Sequence, residues 1–160
     1  MIRNTAPTDA RQICEIYNHY IRHSTITFEE EPVSIHEMQN RILTVQSKYF
    51  WLVYETDGLI SGYAYAGEWL GRPAYRNTVE TSVYIRHDVK GKGIGKQLYI
   101  ALLNELKNCN YHVVIGGIAL PNEASVALHE SLGYKKVAHF SEVGYKFNCW
   151  IDVGYWQLLL

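Results

Sequence analysis

The sequence predicts a mixed α/β sandwich with the element order βααβββαβαββ, and three observations carry that reading. The alternating run Val79-Glu80-Thr81-Ser82-Val83-Tyr84-Ile85 leads into a glycine-rich basic loop and then into an apolar-striped segment, Leu98 to Leu106. That succession reads as strand, loop and helix. Asp57-Gly58 joins two apolar runs, which is a β-hairpin signal. Ser34-Ile35-His36-Glu37 is a capping box at a helix start. Helices and strands interleaved in this way pack as layers around one core.

Taken in order, a short strand covers about Ile2 to Thr5, and Pro7-Thr8-Asp9 opens a helix with Thr8 as its N-cap. Ile13, Ile16, Tyr17 and Tyr20 form the apolar face of that helix. Ser24 to Pro32 is a loop with Phe28 in an acidic setting, and the second helix runs from the capping box to about Ser47. The hairpin strands are Phe50 to Glu55 and Leu59 to Ala66. Gly71, Arg72 and Pro73 make Glu68 to Asn77 a loop. After the Val79–Ile85 strand, a helix spans about Gly95 to Asn108 and a strand His112 to Ala119. Pro121-Asn122 starts a last helix, which Gly133 stops. Two or three strands finish the chain, including Lys136 to Glu142 and Val153 to Leu159.

With 160 residues, 48% of them hydrophobic and 19% charged, the chain has material for one folded domain over residues 1–160. A net charge of −1 argues against a nucleic-acid partner, which calls for a basic surface. The lysines of the glycine loop are therefore a local feature. Cys14, Cys109 and Cys149 are odd in number and far apart, which fits reduced thiols in the cytoplasm. No segment has the length and apolarity of a leader peptide or a membrane span. His19 and His23 have the spacing of a metal pair, but no acidic or cysteine ligand accompanies them, so no metal is expected.

The loop Lys90-Gly91-Lys92-Gly93-Ile94-Gly95-Lys96 is an anion cradle. Glycines let backbone N–H groups converge on a phosphate, the helix start adds partial positive charge, and Lys92 and Lys96 add full charges. The dinucleotide fingerprint does not fit, because its third glycine would come one residue later than Gly95. The string of a P-loop is absent. A phosphorylated cofactor of another kind is implied.

Four blocks give the chain a resemblance to the GNAT acetyltransferase superfamily, and within it to the phosphinothricin and methionine-sulfone N-acetyltransferases. They are Asn18-His19-Tyr20 with Ser24 to Phe28; Thr78 to Ile85 with the glycine loop; Leu120 to Ser125 with Leu128 to Tyr134; and Gly144 to Phe147 with Trp150 to Gln157. The superfamily loop reads Arg/Gln-x-x-Gly-x-Gly/Ala. Lys90 stands at its first position here, keeping charge but losing the donor fork. The resemblance implies a mostly antiparallel central sheet flanked by helices. Two of its strands, Val79–Ile85 and His112–Ala119, run parallel and splay around acetyl-CoA.

On that resemblance the CoA pyrophosphate rests on Gly91, Lys92, Gly93, Ile94, Gly95 and Lys96. The backbone of Val83, Tyr84 and Ile85 pairs with the pantetheine arm as an added strand would. Asn122 contacts the arm, although a plain helix N-cap explains it equally well, and Ser131 is a further contact. Glu80 is the candidate general base, because an ammonium group has no lone pair until a proton leaves. His129 replaces the tyrosine that many members use to protonate the leaving thiolate, as acid or in a relay with Glu80. Tyr134 reads as a core aromatic. Arg72 and Ala74 match substrate-contacting positions. Arg72, or alternatively Arg76, would grip a carboxylate, Glu80, Thr81 and Ser82 would flank the amine, and Phe28 would wall the pocket. The implied reaction is acetyl transfer to the α-amine of a small amino acid or analogue, by direct attack and within a homodimer. A polyamine or peptide N-terminus as acceptor, with Glu29-Glu30-Glu31 supplying an acidic pocket, or a CoA-binding sensor without catalysis, are the competing readings.

Overall fold

A computed structural model of the chain describes residues 1–89 and 91–160; Lys90, the first position of the loop pattern, lies outside the described residues. The elements are β1 (Ile2–Asn4), α1 (Ala10–His23), α2 (Ile35–Gln46), β2 (Trp51–Thr56), β3 (Leu59–Glu68), β4 (Thr78–Ile85), α3 (Ile94–Asn108), β5 (Val113–Leu120), α4 (Glu123–Ser131), β6 (Lys135–Lys146) and β7 (Cys149–Leu159). This is the order expected from the sequence. The strands form one sheet, β1-β2-β3-β4-β5-β7-β6, antiparallel except between β4 and β5.

Local chemistry sets the ends of the elements, with two differences from expectation. Thr8 is not the cap of α1. Pro7–Asp9 forms a tight 3₁₀ turn, and the Asp9 carboxylate accepts from the Ala6 N–H at 2.8 Å and pairs with Arg3 at 2.7 Å. Ser34 does cap α2, accepting from the Glu37 N–H at 3.1 Å. The reciprocal half of the box is missing because Glu37 turns outward to Arg41 Nε, 2.9 Å away. The chain ends in two long strands without a third, joined at Phe147-Asn148, whose φ values of 52° and 57° are those of a tight hairpin turn.

Cross-strand register divides the side chains between two faces. Tyr63 opposes Tyr84, Tyr65 opposes Ser82 and Gly67 opposes Glu80. In β5 and β7, Ile115 opposes Gln157 and Gly117 opposes Tyr155. These residues share one face, where α1 and α2 pack over Trp51, Val53 and Tyr63. The other face carries Val79, Val114, Ile118 and Trp156 under α3, with Tyr134 beside them. Glu80 therefore points toward the α1/α2 side, and His129, on α4, approaches from the opposite side.

Candidate active site

β4 and β5 pair only at their first residues, Thr78 with Val113, Val79 with Val114 and Glu80 with Ile115. From there β5 follows β7, pairing Gly116 to Leu120 with Trp156 to Asp152. The edge of β4 from Thr81 to Ile85 that faces β5 is left without a strand partner. Tyr20 on α1 fixes the far end of that edge by donating its hydroxyl proton to the Ile85 carbonyl. A sheet split open at one edge offers backbone donors and acceptors to an extended ligand.

The split opens into a groove of about 270 Å³ whose lining includes Val83, Tyr84, Ile85, Gly91, Lys92, Gly93, Ile94, Gly95 and Asn122. Gly91 and Gly93 have φ of +80° and +70°, and a Cβ on either would meet nothing within 4 Å. The glycines serve backbone conformation there and leave the cradle open. Gly93 is the N-cap of α3, and no side chain satisfies the first N–H groups of that helix. Those donors point where an anion would lie. Asn122 caps α4, accepting from the Ser125 N–H at 3.2 Å, and also lines the groove. Lys96 is exposed on the first turn of α3. Ser131 is exposed at the end of α4 and donates to the Leu128 carbonyl at 2.9 Å.

Deeper in the split, Thr81, Ser82, Tyr99, Gly117, Asn122 and His129 line a small inner space of about 50 Å³. On the α1/α2 side, Glu80 is half-buried and its carboxylate has no hydrogen-bond partner among the described residues. Burial raises its pKa above the usual carboxylate range. Gly117 makes room for it: a Cβ there would stand 3.1 Å from Glu80 Oε1 and 3.1 Å from the Tyr155 ring.

On the opposite side, His129 is 3% exposed. Its Nδ1–H donates to the Ser125 carbonyl at 2.7 Å, which makes Nε2 the acceptor for the Tyr99 hydroxyl at 3.2 Å. Burial lowers the imidazole pKa, so the ring is neutral at pH 7. Tyr134, 3% exposed, packs edge-on to that ring. Glu80 and His129 make no direct hydrogen bond.

Phe28 lies over β6, filling the space where a Cβ of Gly144 would sit. Its loop is pinned by Lys146, a buried lysine whose ammonium donates to the Thr27 carbonyl at 2.8 Å. Arg72 and Ala74 flank a 3₁₀ turn, Pro73–Tyr75, on the surface. Arg72 lines a separate hollow with Lys48, Tyr49 and Glu68, which shares no lining residue with the split. Arg76 donates to the Pro73 carbonyl. His19 stacks on His87 at 4.0 Å, and no metal-ligating group of three side chains occurs among the described residues. Sequence reasoning passed over Tyr99 and the Gly116-Gly117 pair. The pair was the available signal, since glycines inside a strand mark a close approach.

A strand split over a phosphate cradle, with an unpartnered carboxylate at its apex, is the apparatus of an acyltransferase that takes a phosphorylated thioester donor. Residues 2–154 match the family described as an acetyltransferase (GNAT) domain, and the chain belongs to that family. It is 42% identical over 156 residues to a phosphinothricin N-acetyltransferase of Streptomyces viridochromogenes, covering 98% of this chain and 85% of that one. It is 37% identical over 163 residues to an L-methionine sulfoximine/L-methionine sulfone acetyltransferase of Salmonella typhimurium, covering 99% and 94%. A Salmonella typhimurium acetyltransferase solved with acetyl-CoA superposes with a TM-score of 0.97 at 37% identity, covering 100% of this chain and 93% of that one.

Proposed function

We propose that this enzyme transfers an acetyl group from acetyl-CoA to the α-amine of a small amino acid or analogue of the phosphinothricin, methionine sulfone or methionine sulfoximine type. The observation that carries the reading is Glu80: a half-buried carboxylate of raised pKa, without a hydrogen-bond partner among the described residues, where β4 and β5 part. The names of the relatives support the acceptor class, and the open glycine cradle and the free edge of β4 fit the donor.

Acetyl-CoA supplies the thioester when it is bound. The N–H groups of the loop and of the α3 start hold its phosphates, with Lys92 and Lys96 adding charge, and Val83 to Ile85 and Asn122 hold its arm. Glu80 takes a proton from the acceptor ammonium, which frees the lone pair for direct attack. Tyr99, which lines the same split and whose hydroxyl is oriented by His129, gives its proton to the leaving sulfur and regains one from solvent. Thr81 and Ser82 flank the amine and Phe28 closes the pocket, while Arg72 and Ala74, whose turn lies over the neighbouring hollow, would have to reach the acceptor from outside the split.

Thiol release from acetyl-CoA against methionine sulfone, phosphinothricin, natural amino acids, spermidine and a short peptide tests this. Turnover is expected on the sulfone or phosphinothricin above the no-acceptor rate; turnover on spermidine or peptide alone overturns the acceptor class. In the same assay Arg72→Ala is expected to raise the amino-acid KM about tenfold or more, the worth of a charged hydrogen bond. An unchanged KM removes Arg72 from the site.

A homodimer belongs to the same reading. The β6–β7 hairpin exposes Phe140, Val143, Tyr145, Phe147 and Trp150, the last at 64%, whereas Trp156 is buried in the core. Large apolar side chains exposed together on one hairpin are the mark of an association surface. Sedimentation equilibrium is expected to give twice the chain mass, and Val143→Glu with Trp150→Glu to return it to one chain. A monomeric parent protein overturns this part.

A further inference from the structure

Between α2 and strands β2 and β3 lies a hollow of about 470 Å³ that none of the roles above uses. Its floor is a stack of rings: Trp51 lies 4.5 Å from Tyr65 and 5.7 Å from Tyr63. Met38, Arg41 and Thr44 of α2 form its roof. Trp51 is 3% exposed, and its buried indole N–H has no hydrogen-bond partner among the described residues. An unsatisfied buried donor is costly, and an arriving acceptor atom removes that cost.

The hollow adjoins the Glu80 split. Tyr65 of the hollow is paired across the sheet with Ser82, which lines the split. Along β3, Tyr65 stands two residues from Gly67, which opposes Glu80. Trp51 opposes Tyr65 on the next strand, so Trp51 and Glu80 lie two strand spacings and two residues apart, about 12 Å between backbones, a gap that both side chains narrow and that an acceptor bonded at its amine and its head would bridge. Gly67 leaves the way open, since a Cβ there would meet nothing within 4 Å.

The local charge selects among side-chain heads. Arg41 is held by Glu29 at 2.8 Å and by Glu37 at 2.9 Å, so the three groups together carry one net negative charge. Glu29 Oε2 is itself buried without a partner. An anionic head meets an excess of negative charge there, while a neutral head with an oxygen acceptor meets the indole N–H and an aromatic floor.

We infer that this hollow is the subsite for the acceptor's side-chain head, and that Trp51 Nε1–H selects a neutral, hydrogen-bond-accepting head such as a sulfone or sulfoximine over an anionic phosphinate. The inference rests on the proposed amino-acid acetylation.

The test compares methionine sulfone, norleucine and phosphinothricin, by turnover and by calorimetric binding. The unaltered enzyme prefers the sulfone to phosphinothricin. Trp51→Phe keeps the ring and loses the donor, and lowers the sulfone-to-norleucine ratio of kcat/KM about five- to tenfold, the worth of one neutral hydrogen bond. Should Trp51→Phe fold poorly, Thr44→Leu narrows the same hollow from an exposed position on α2 and lowers kcat/KM for sulfone and norleucine relative to alanine. Sulfone-to-norleucine and sulfone-to-alanine ratios that do not move overturn the subsite while leaving amino-acid acetylation intact. Binding of the sulfone that weakens in Trp51→Phe, without its acetylation by the unaltered enzyme, overturns the acetylation reading and supports the subsite. Neither binding nor turnover overturns both.

Discussion

Replacing Glu80 by Gln is expected to lower kcat for amino-acid acetylation by about 10²- to 10⁴-fold, the range that positioned proton transfer contributes. The side chain keeps its size, and Gly117 still leaves the space beside it, so the KM for acetyl-CoA and the melting temperature change little. The pH profile carries a separate signature. Burial raises the Glu80 pKa, so its protonated form, which cannot accept the substrate's proton, persists to higher pH than an ordinary glutamate's would, about 4.3. Activity therefore falls as pH drops through that raised value and recovers above it. The acidic limb is expected to disappear in Glu80→Gln, leaving a slow, flatter profile. An unchanged rate, or an unchanged acidic limb, removes Glu80 from the role. The lowered pKa of His129 also lies on the acidic side, so the limb is assigned to Glu80 by its loss in Glu80→Gln and its persistence in His129→Ala.

The face on which Glu80 lies was legible from strand alternation, because Ser82 and Tyr84 mark the same side of β4. The cradle was legible too, since glycines at left-handed φ and a helix start are short-range features. What could not be read was the opposition of Glu80 and His129. Sequence places one on a strand and the other on a helix, but the face that the helix covers is decided by crossover and packing. The resemblance brought the two residues together as a relay, and the structure shows no direct hydrogen bond between them. Arg72 shows the same limit. A loop cation satisfies a carboxylate in any orientation the sequence permits, and here its turn lies over a hollow of its own. Thr8 failed as a cap because Pro7 starts a 3₁₀ turn and Asp9 takes up Arg3. That partner comes from the preceding strand, and no local propensity encodes it.

Gly116 shows how tightly the second side of the split is built, and Gly116→Ala is expected to damage fold and chemistry together. A Cβ at this position would stand 2.5 Å from His129 Nε2 and 2.7 Å from Cδ2. The ring has little freedom to retreat: Ser125 holds Nδ1, Tyr99 holds Nε2, and Tyr99 and Tyr134 pack edge-on to it at 5.2 and 5.0 Å. Overpacking of this kind costs about 1–3 kcal/mol, which for a chain of this size is a fall in melting temperature of about 3–10 °C. Moving the imidazole also takes the acceptor away from the Tyr99 hydroxyl, so kcat is expected to fall at least about tenfold, the loss for one displaced proton-transfer partner. The acidic limb set by Glu80 on the other face stays where it was. A double-mutant cycle separates strain from role. His129→Ala removes the ring that the added methyl group would strike, so adding Gly116→Ala to His129→Ala costs much less stability than adding it to the parent, while activity stays low in both. If kcat survives in Gly116→Ala at a reduced melting temperature, His129 is a packing residue and the leaving sulfur takes its proton elsewhere. If stability and rate fall together and the double variant recovers only the stability, the imidazole works through Tyr99, and the glycine is there to let it.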